Sequence, residues 1–195
     1  MQRKLLQIVA GPNGSGKTTF ASSFLLPRNN GSFFINADTV ASGLSPNHGE
    51  TAAFQAGRFA LQEIQKAINE GRSFCFETTL SGLGWRNTIE LAKNAGFHVV
   101  IYFIYVGTLD ASIKRIAKRV KEGGHNIPIK VVKRRTRRSF YNFWFLYRHL
   151  CDEWFAIDNS QSKSKLLCSS ADFEALNLKQ KKVVENFFSK KGGRT

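Results

Sequence analysis

Four residues near the start of the chain have the types and the spacing of a phosphate-binding loop. Gly11, Gly16, Lys17 and Thr18 lie in the segment AGPNGSGKTT and fit the pattern G-x-x-x-x-G-K-[ST]. In such a loop, glycines let backbone N–H groups turn toward phosphate oxygens, the lysine binds the outer phosphates and the threonine hydroxyl holds Mg²⁺. The residues predicted to contact a nucleotide are Gly11, Pro12, Asn13, Gly14, Ser15, Gly16, Lys17, Thr18 and Thr19.

Two carboxylates follow short apolar segments and are candidates for chemistry beside this loop. Glu77 ends the segment SFCFE and is predicted to orient Mg²⁺, water or a substrate, with Thr79 lining the same pocket. Asp38 follows FIN in the segment FINADTV, and a carboxylate there can accept the proton of an attacking hydroxyl. Two structural alternatives stay open: Glu77 as an ordinary strand-end glutamate, and Asp38 as a helix N-cap.

The segment KRIAKRVKEGGHNIPIKVVKRRTRRS supplies a set of arginines. Arg115 and Arg119 are one helical turn apart, and a flexible Gly123–Gly124 loop follows them. A second predicted helix then carries Arg134 and Arg135. Two arginine-rich helices joined by a flexible loop predict a lid that closes over a triphosphate, because guanidinium groups suit the charge on a moving phosphoryl group.

The same basic segment has two other interpretations. It can be a solvated basic face, or it can bind nucleic acid if the aromatic side chains that follow it stack on bases. Those side chains are Phe140, Tyr141, Phe143 and Trp144. We expect them instead to pack the second helix against the protein core.

The elements that must position these residues alternate between strands and helices. Strands are predicted over residues 5–10, 32–36, 73–77, 98–106 and 154–160. Helices are predicted over residues 19–26, 50–70, 85–94, 110–120 and 131–151. This alternation indicates an α/β fold with a parallel five-stranded sheet covered by helices on both faces. In such a sheet Asp38 lies at the same carboxyl edge as the phosphate-binding loop.

Composition limits the class of protein. A chain of 195 residues with 42% hydrophobic residues is long enough to bury one full core. Its net charge of +15 is explained either by a basic surface without specific meaning or by an anionic partner. Three widely spaced cysteines predict neither a disulfide framework nor a zinc site. The longest apolar run, FHVVIYFIYV, is too short to span a bilayer, so we expect a cytoplasmic protein.

One motif argues against a transporter ATPase. The segment LSGLG resembles the signature of those ATPases, but here it follows Glu77 directly, whereas in that class the signature precedes the acidic strand. The segment is therefore interpreted as a glycine-rich turn between a strand and a helix.

Taken together, these segments resemble the zeta-toxin family of small P-loop kinases, and in particular its compact branch, also described as predicted ABC-type ATPases. The matching segments are AGPNGSGKTT, FINAD, AAFQAGR, FETTLSG, RVKEGGHNIP, RRTRRSFYNF and IDNS. The resemblance implies an adenylate-kinase-like P-loop NTPase fold with a helical lid at about residues 110–150. It also implies a kinase domain over residues 1–160, which leaves 161–195 as a basic, partly disordered extension. Within that extension, LLCSS is a candidate strand and residues 179–190 a candidate amphipathic helix.

The resemblance also implies roles. It implies ATP and Mg²⁺ as cofactors, Lys17 as the clamp lysine, Asp38 as the catalytic base and Glu77 as the strand-end acid. Arg119 matches the first lid arginine, and the second is Arg134 or Arg135, with Arg135 favoured. The implied reaction is phosphoryl transfer to a UDP-amino sugar, commonly UDP-N-acetylglucosamine, by a toxin that an acidic antitoxin can bind.

Two alternatives belong to other classes. One is a kinase of nucleic-acid ends, which the net charge of +15 favours. The other is a non-catalytic ATP-binding module that docks an acidic partner. A catalytic role of Asp38 distinguishes the two kinase hypotheses from the non-catalytic module. The acceptor that stimulates ATP consumption, a UDP-sugar or an oligonucleotide, distinguishes the two kinases from each other.

Overall fold

The computed structural model describes residues 3–28, 33–36, 50–124 and 127–193 of the chain. The strands are β1 (Leu5–Ala10), β2 (Phe33–Ile35), β3 (Phe74–Thr78), β4 (His98–Tyr105), β5 (Glu153–Asp158) and β6 (Lys165–Ser169). The helices are α1 (Lys17–Phe20), α2 (Glu50–Asn69), α3 (Trp85–Asn94), α4 (Leu109–Lys121), α5 (Ile129–Phe145), α6 (Ser170–Ala175) and α7 (Leu178–Gly192). A π-helical turn at Ala21–Leu25 and a 3-10 turn at Leu26–Arg28 continue α1.

The strands form one sheet in the order β2-β3-β1-β4-β5-β6. The first five are parallel, which confirms the predicted sheet, and β6 pairs antiparallel with β5 as a sixth strand. Leu6 to Ala10 of the central strand β1 are all buried, as expected for a strand that helices cover on both faces. The carboxyl ends of β1, β2 and β3 therefore lie at one edge, where the phosphate-binding loop begins.

The segment after residue 160 belongs to this fold. Residues 165–192 form β6, α6 and α7, which match the candidate strand LLCSS and the candidate helix over 179–190, and α7 continues to Gly192 inside the segment expected to be disordered. Phe173 and Phe188 lie in the same buried cluster as Leu6 of β1, so one core spans the predicted boundary at residue 160. The apolar side chains of α7 pack against α5, and this burial stabilises a helix whose sequence pattern is weak.

The aromatic side chains of α5 belong to the core. Phe140, Phe143 and Trp144 are each at most 2% exposed, and the Trp144 ring stacks on Phe188 with centroids 4.3 Å apart. Tyr141 is half-buried, and the expectation of inward packing is confirmed for Phe140, Phe143 and Trp144. Because they are buried, they are not available to stack on nucleic-acid bases.

Two helix ends differ from the sequence prediction. Helix α4 begins at Leu109, one residue before the predicted start, because Thr108 is its N-cap and the Thr108 hydroxyl accepts the N–H of Ala111 at 3.1 Å. Helix α5 ends at Phe145, not at 151, and a 3-10 turn follows at Tyr147–His149. Tyr147 is buried there and its hydroxyl donates to Gly82 O at 2.7 Å, a tertiary contact that the helical pattern does not reveal. None of the helices in the described ranges is long and apolar enough to cross a membrane.

Candidate active site

The loop between β1 and α1 has the backbone of a phosphate cradle. Gly11 has φ +139° and Gly16 has φ +88°, conformations that side chains rarely adopt. A Cβ on Gly11 would collide with the carbonyl oxygen of Ile104, and one on Gly16 with the side-chain amide of Asn159. Glycine is therefore required at both positions, and the predicted loop folds as its motif demands.

Lys17 is held inside this loop. Its side chain is 7% exposed, and Nζ donates to the Pro12 carbonyl oxygen at 3.0 Å. The Ser15 hydroxyl is also buried and has no hydrogen-bond partner among the described residues. A buried, unpartnered hydroxyl beside a lysine can donate to a phosphate oxygen. The side chains of the loop therefore fit the phosphates of a nucleotide.

Thr18 and Glu77 meet at the carboxyl edge of the sheet. The Thr18 hydroxyl donates to Glu77 Oε2 at 2.7 Å, and the Asn36 amide reaches the same oxygen at 3.5 Å. The contact arises because β1 and β3 are adjacent and Gly11 N donates to Thr78 O at 3.2 Å. A hydroxyl and a carboxylate are oxygen ligands of the type that Mg²⁺ prefers.

Cys75 lies two residues before Glu77 but is not a candidate nucleophile. Burial, and secondly the Glu77 carboxylate, raise the pKa of the Cys75 thiol to about 12. The thiol therefore stays protonated near neutral pH. Cys75, Cys151 and Cys168 are all free thiols, as the sequence predicted.

The turn after β3 is strained and is fastened to α5. Leu80 is buried with φ +51°, an uncommon conformation for a branched side chain. Its carbonyl oxygen accepts a hydrogen bond from the buried Asn142 amide at 2.8 Å, and Tyr147 holds Gly82 of the same turn. The Thr79 hydroxyl bonds Ser81 at 2.9 Å, so the predicted pocket residue is part of this turn.

Replacing Asn142 tests the connection between α5 and the strained turn. Asn142→Leu has a similar size but leaves the buried Leu80 carbonyl without its donor, so we expect the free energy of unfolding to fall by about 1–3 kcal/mol. Urea unfolding measures this change. The control is Asn87→Leu on the exposed side of α3, expected to stay within about 0.5 kcal/mol of the wild type. Equal stability of the two variants would contradict the bracing role.

Helix α4 lies directly on the phosphate-binding loop. A Cβ on Gly14 would come within 2.6 Å of the Ser112 carbonyl oxygen. Arg115, one turn further along α4, donates to the Asn159 carbonyl oxygen at 2.8 Å, and the Asn159 amide donates to Ser15 O at 2.8 Å. Asn159 received no role from the sequence, although it lies in the matching segment IDNS, and Arg115 was predicted only as part of the arginine-rich lid. For Arg115 the sequence signal is its four-residue spacing from Arg119, which places the two arginines on one face of α4.

The two predicted lid arginines occupy different surroundings. Arg119 is exposed, and its aliphatic carbons lie against Gly124 of the connecting loop. Arg135 is half-buried and lies two turns before Asn142 on the same flank of α5, the flank that faces the strained turn. Arg134 is exposed on another flank. Within the described residues neither predicted arginine donates a hydrogen bond to the phosphate-binding loop.

Two further findings bear on the predicted site. Asp38 lies outside the described residues, so its role as the base stays a sequence prediction. In the described ranges, no three His, Cys, Asp or Glu side chains are grouped as a metal-binding cluster.

Comparison with known proteins gives matches in sequence and in fold. An uncharacterized protein of Haemophilus influenzae is 34% identical over 135 residues, which are 69% of this chain and 94% of that protein. A structure from the PezAT chromosomal toxin–antitoxin system of Streptococcus pneumoniae superposes with a TM-score of 0.66 at 16% identity, covering 98% of this chain and 86% of that one. The AvrRxo1-ORF1:-ORF2 complex with ATP superposes with a TM-score of 0.72 at 16% identity, covering 95% of this chain and 64% of that one.

The sequence model of the zeta toxin family matches residues 1–160. That range holds the phosphate-binding loop, the Thr18–Glu77 contact and both arginine-bearing helices. The chain therefore belongs to the zeta toxin family of ATP-dependent P-loop kinases.

Proposed function

We propose that this kinase transfers the γ-phosphoryl group of ATP to a hydroxyl of a UDP-amino sugar such as UDP-N-acetylglucosamine. The observation that carries the proposal is the contact between Thr18 and Glu77, 2.7 Å, at the sheet edge beside the phosphate-binding loop. This contact places a carboxylate next to the proposed nucleotide site. An acceptor hydroxyl has to approach the γ-phosphate at the same place.

In this proposal each residue of the site has a separate role. Backbone N–H groups of Asn13 to Thr18 cradle the phosphates, and Lys17 neutralises the outer ones. Thr18 and Glu77 would hold Mg²⁺, which would neutralise charge on the phosphate oxygens. Asp38 takes the proton of the attacking hydroxyl. Glu77 and Thr79 line the acceptor side of the pocket.

The acceptor is found by a labelling experiment. The protein is incubated with γ-labelled ATP and with a panel of UDP-sugars, free sugars, nucleosides and oligonucleotides, and the labelled product is separated. We expect label on the UDP-amino sugar. Label on oligonucleotide 5′ ends instead supports the alternative that the charge of +15 favours, a nucleic-acid end kinase. ATP binding with no labelled acceptor supports the non-catalytic module.

The lid proposal makes a paired prediction. Arg119→Ala and Arg135→Ala should each lower kcat and kcat/KM together by about 10²-fold or more, because an arginine that meets charge only in the transition state does not change substrate binding. The measurement is steady-state transfer with ATP affinity determined separately. The controls are Lys118→Ala, whose side chain is 80% exposed, and Arg134→Ala on the exposed flank of α5.

The controls decide which arginine acts. Arg134→Ala with the larger loss would assign the second lid position to Arg134. If Arg119→Ala and Arg135→Ala change only nucleotide affinity, these arginines belong to a general basic surface. Loss of oligonucleotide affinity with a steep salt dependence would favour the nucleic-acid alternative.

An acidic antitoxin is the proposed protein partner. The chain has 29 Lys and Arg residues against 14 Asp and Glu residues, and an acidic surface complements that excess in association. The similarity in fold to a protein of a toxin–antitoxin system supports the same partner class. We place the protein in the cytoplasm, where its proposed acceptor and reduced thiols are found.

A further inference from the structure

A second basic pocket lies beside the phosphate-binding loop. A surface cavity of about 300 Å³ is lined by Pro12 of the loop and by residues of α4, α5 and α7. Four cationic side chains line it, and none of its lining residues is acidic: Lys133, Arg137, Lys190 and Lys191. Lys191 donates to the Gly107 carbonyl oxygen, and the other three form no ion pair within the described residues. The pocket therefore concentrates positive charge that the described protein does not neutralise.

The pocket also contains a polar group without a partner. Thr136 lines it, and the Thr136 hydroxyl is buried with no hydrogen-bond partner among the described residues. A buried hydroxyl that makes no hydrogen bond is destabilising unless a ligand or water meets it. Phe140 and Leu109 add apolar surface to the lining. Cations, a buried donor and apolar surface are the features of a site for an anion with a small organic body.

This pocket is separate from the acceptor edge of the active site. Lys133, Thr136 and Arg137 share one flank of α5, whereas Arg135 and Asn142 lie on another flank, which faces the turn after β3. Its lining includes neither Thr18 nor Glu77. Contact with the nucleotide site runs through Pro12, which lines the pocket and whose carbonyl oxygen accepts the hydrogen bond from Lys17.

We propose that this cavity binds the phosphate group of a compact small molecule, as a second anion site next to the phosphate-binding loop. Arg137, Lys133 and Lys190 pair with the phosphate oxygens, and the Thr136 hydroxyl donates to one of them. The volume is at the lower end of that of small-molecule pockets, so it suits orthophosphate or a short phosphomonoester. Nucleic acid is disfavoured because the site is concave and its aromatic lining residue, Phe140, is buried.

Phosphate titration followed by NMR tests the site residue by residue. Isotope-labelled full-length protein is titrated with inorganic phosphate at constant ionic strength, and the amide signals of Thr136 and Leu109 are compared with that of Gly16. We expect the Thr136 and Leu109 signals to shift with their own dissociation constant. Arg137→Gln should weaken that binding by about tenfold to a hundredfold, the range for a charge-assisted hydrogen bond. Neither ATP nor transfer enters this measurement, so its outcome is independent of the proposed acceptor.

The matched control is Arg138→Gln, the next residue on α5, which is exposed and outside the pocket. It should change phosphate affinity at Thr136 by less than about twofold. Repeating the titration with glycerol 3-phosphate identifies the source of the phosphate: tighter binding of the ester indicates a metabolite, and equal binding indicates free phosphate. A Thr136 signal that does not move up to about 10 mM phosphate overturns the proposal. Equal losses in Arg137→Gln and Arg138→Gln overturn it as well.

Discussion

Asp38→Asn is expected to retain ATP–Mg²⁺ binding and to lose phosphoryl transfer by about 10²–10⁴-fold, the range for a positioned general base. Asparagine keeps the size and much of the hydrogen bonding of aspartate but removes the proton acceptor. Nucleotide binding survives because Gly11 to Thr18 form that site without Asp38. Any toxicity on expression should disappear together with transfer.

The same variant separates catalysis from a structural role. Asparagine is as good a helix N-cap as aspartate, so a capping Asp38 predicts almost unchanged stability and activity in the variant. Thermal unfolding and the labelling assay measure the two quantities on one preparation. Full transfer with normal stability would remove Asp38 from the catalytic set. The remaining assignment would be an ATP-binding protein whose base lies elsewhere.

Lys17→Ala is expected to lower transfer by about 10²–10³-fold, since it removes one well-placed charge from the transferring phosphate. From the sequence, the Lys17 side chain is expected to face a solvent-filled pocket when no nucleotide is bound, with almost no effect of its loss on stability. The structure shows it buried and donating to Pro12 O, so we now expect the variant to be less stable by about 1 kcal/mol and still folded. Single-turnover transfer and thermal unfolding measure both effects.

Lys118→Ala serves as the control for this substitution as well. It removes the same charge from an exposed position, so transfer and stability should stay close to the wild type. Unchanged transfer in Lys17→Ala would reject the loop as the site of ATP phosphates. A comparable loss in both variants would point to the net charge of the protein rather than to a specific contact.

Local features account for what could be predicted along the chain. The Gly11–Thr18 loop is recognisable because its positive φ angles require glycine at set positions, and the strands of the parallel sheet are recognisable as short apolar runs. The carboxylate of Glu77 could be assigned to the same edge because parallel strands end together. These inferences need only neighbouring residues and the geometry of a parallel sheet.

Contacts between distant residues decided the rest. The hydrogen bond from Asn159 to Ser15 spans 144 positions, and the one from Asn142 to Leu80 spans 62, so no local pattern announces either. The sequence offers β6 and α7 as candidates, but their partners are set by the fold: β6 pairs with the edge of β5, and α7 packs on α5. Those same contacts bury the aromatic rings of α5 and set Arg135, rather than Arg134, on the flank toward the turn after β3. Periodicity shows that a helix has faces, but which face meets the site depends on how the elements pack.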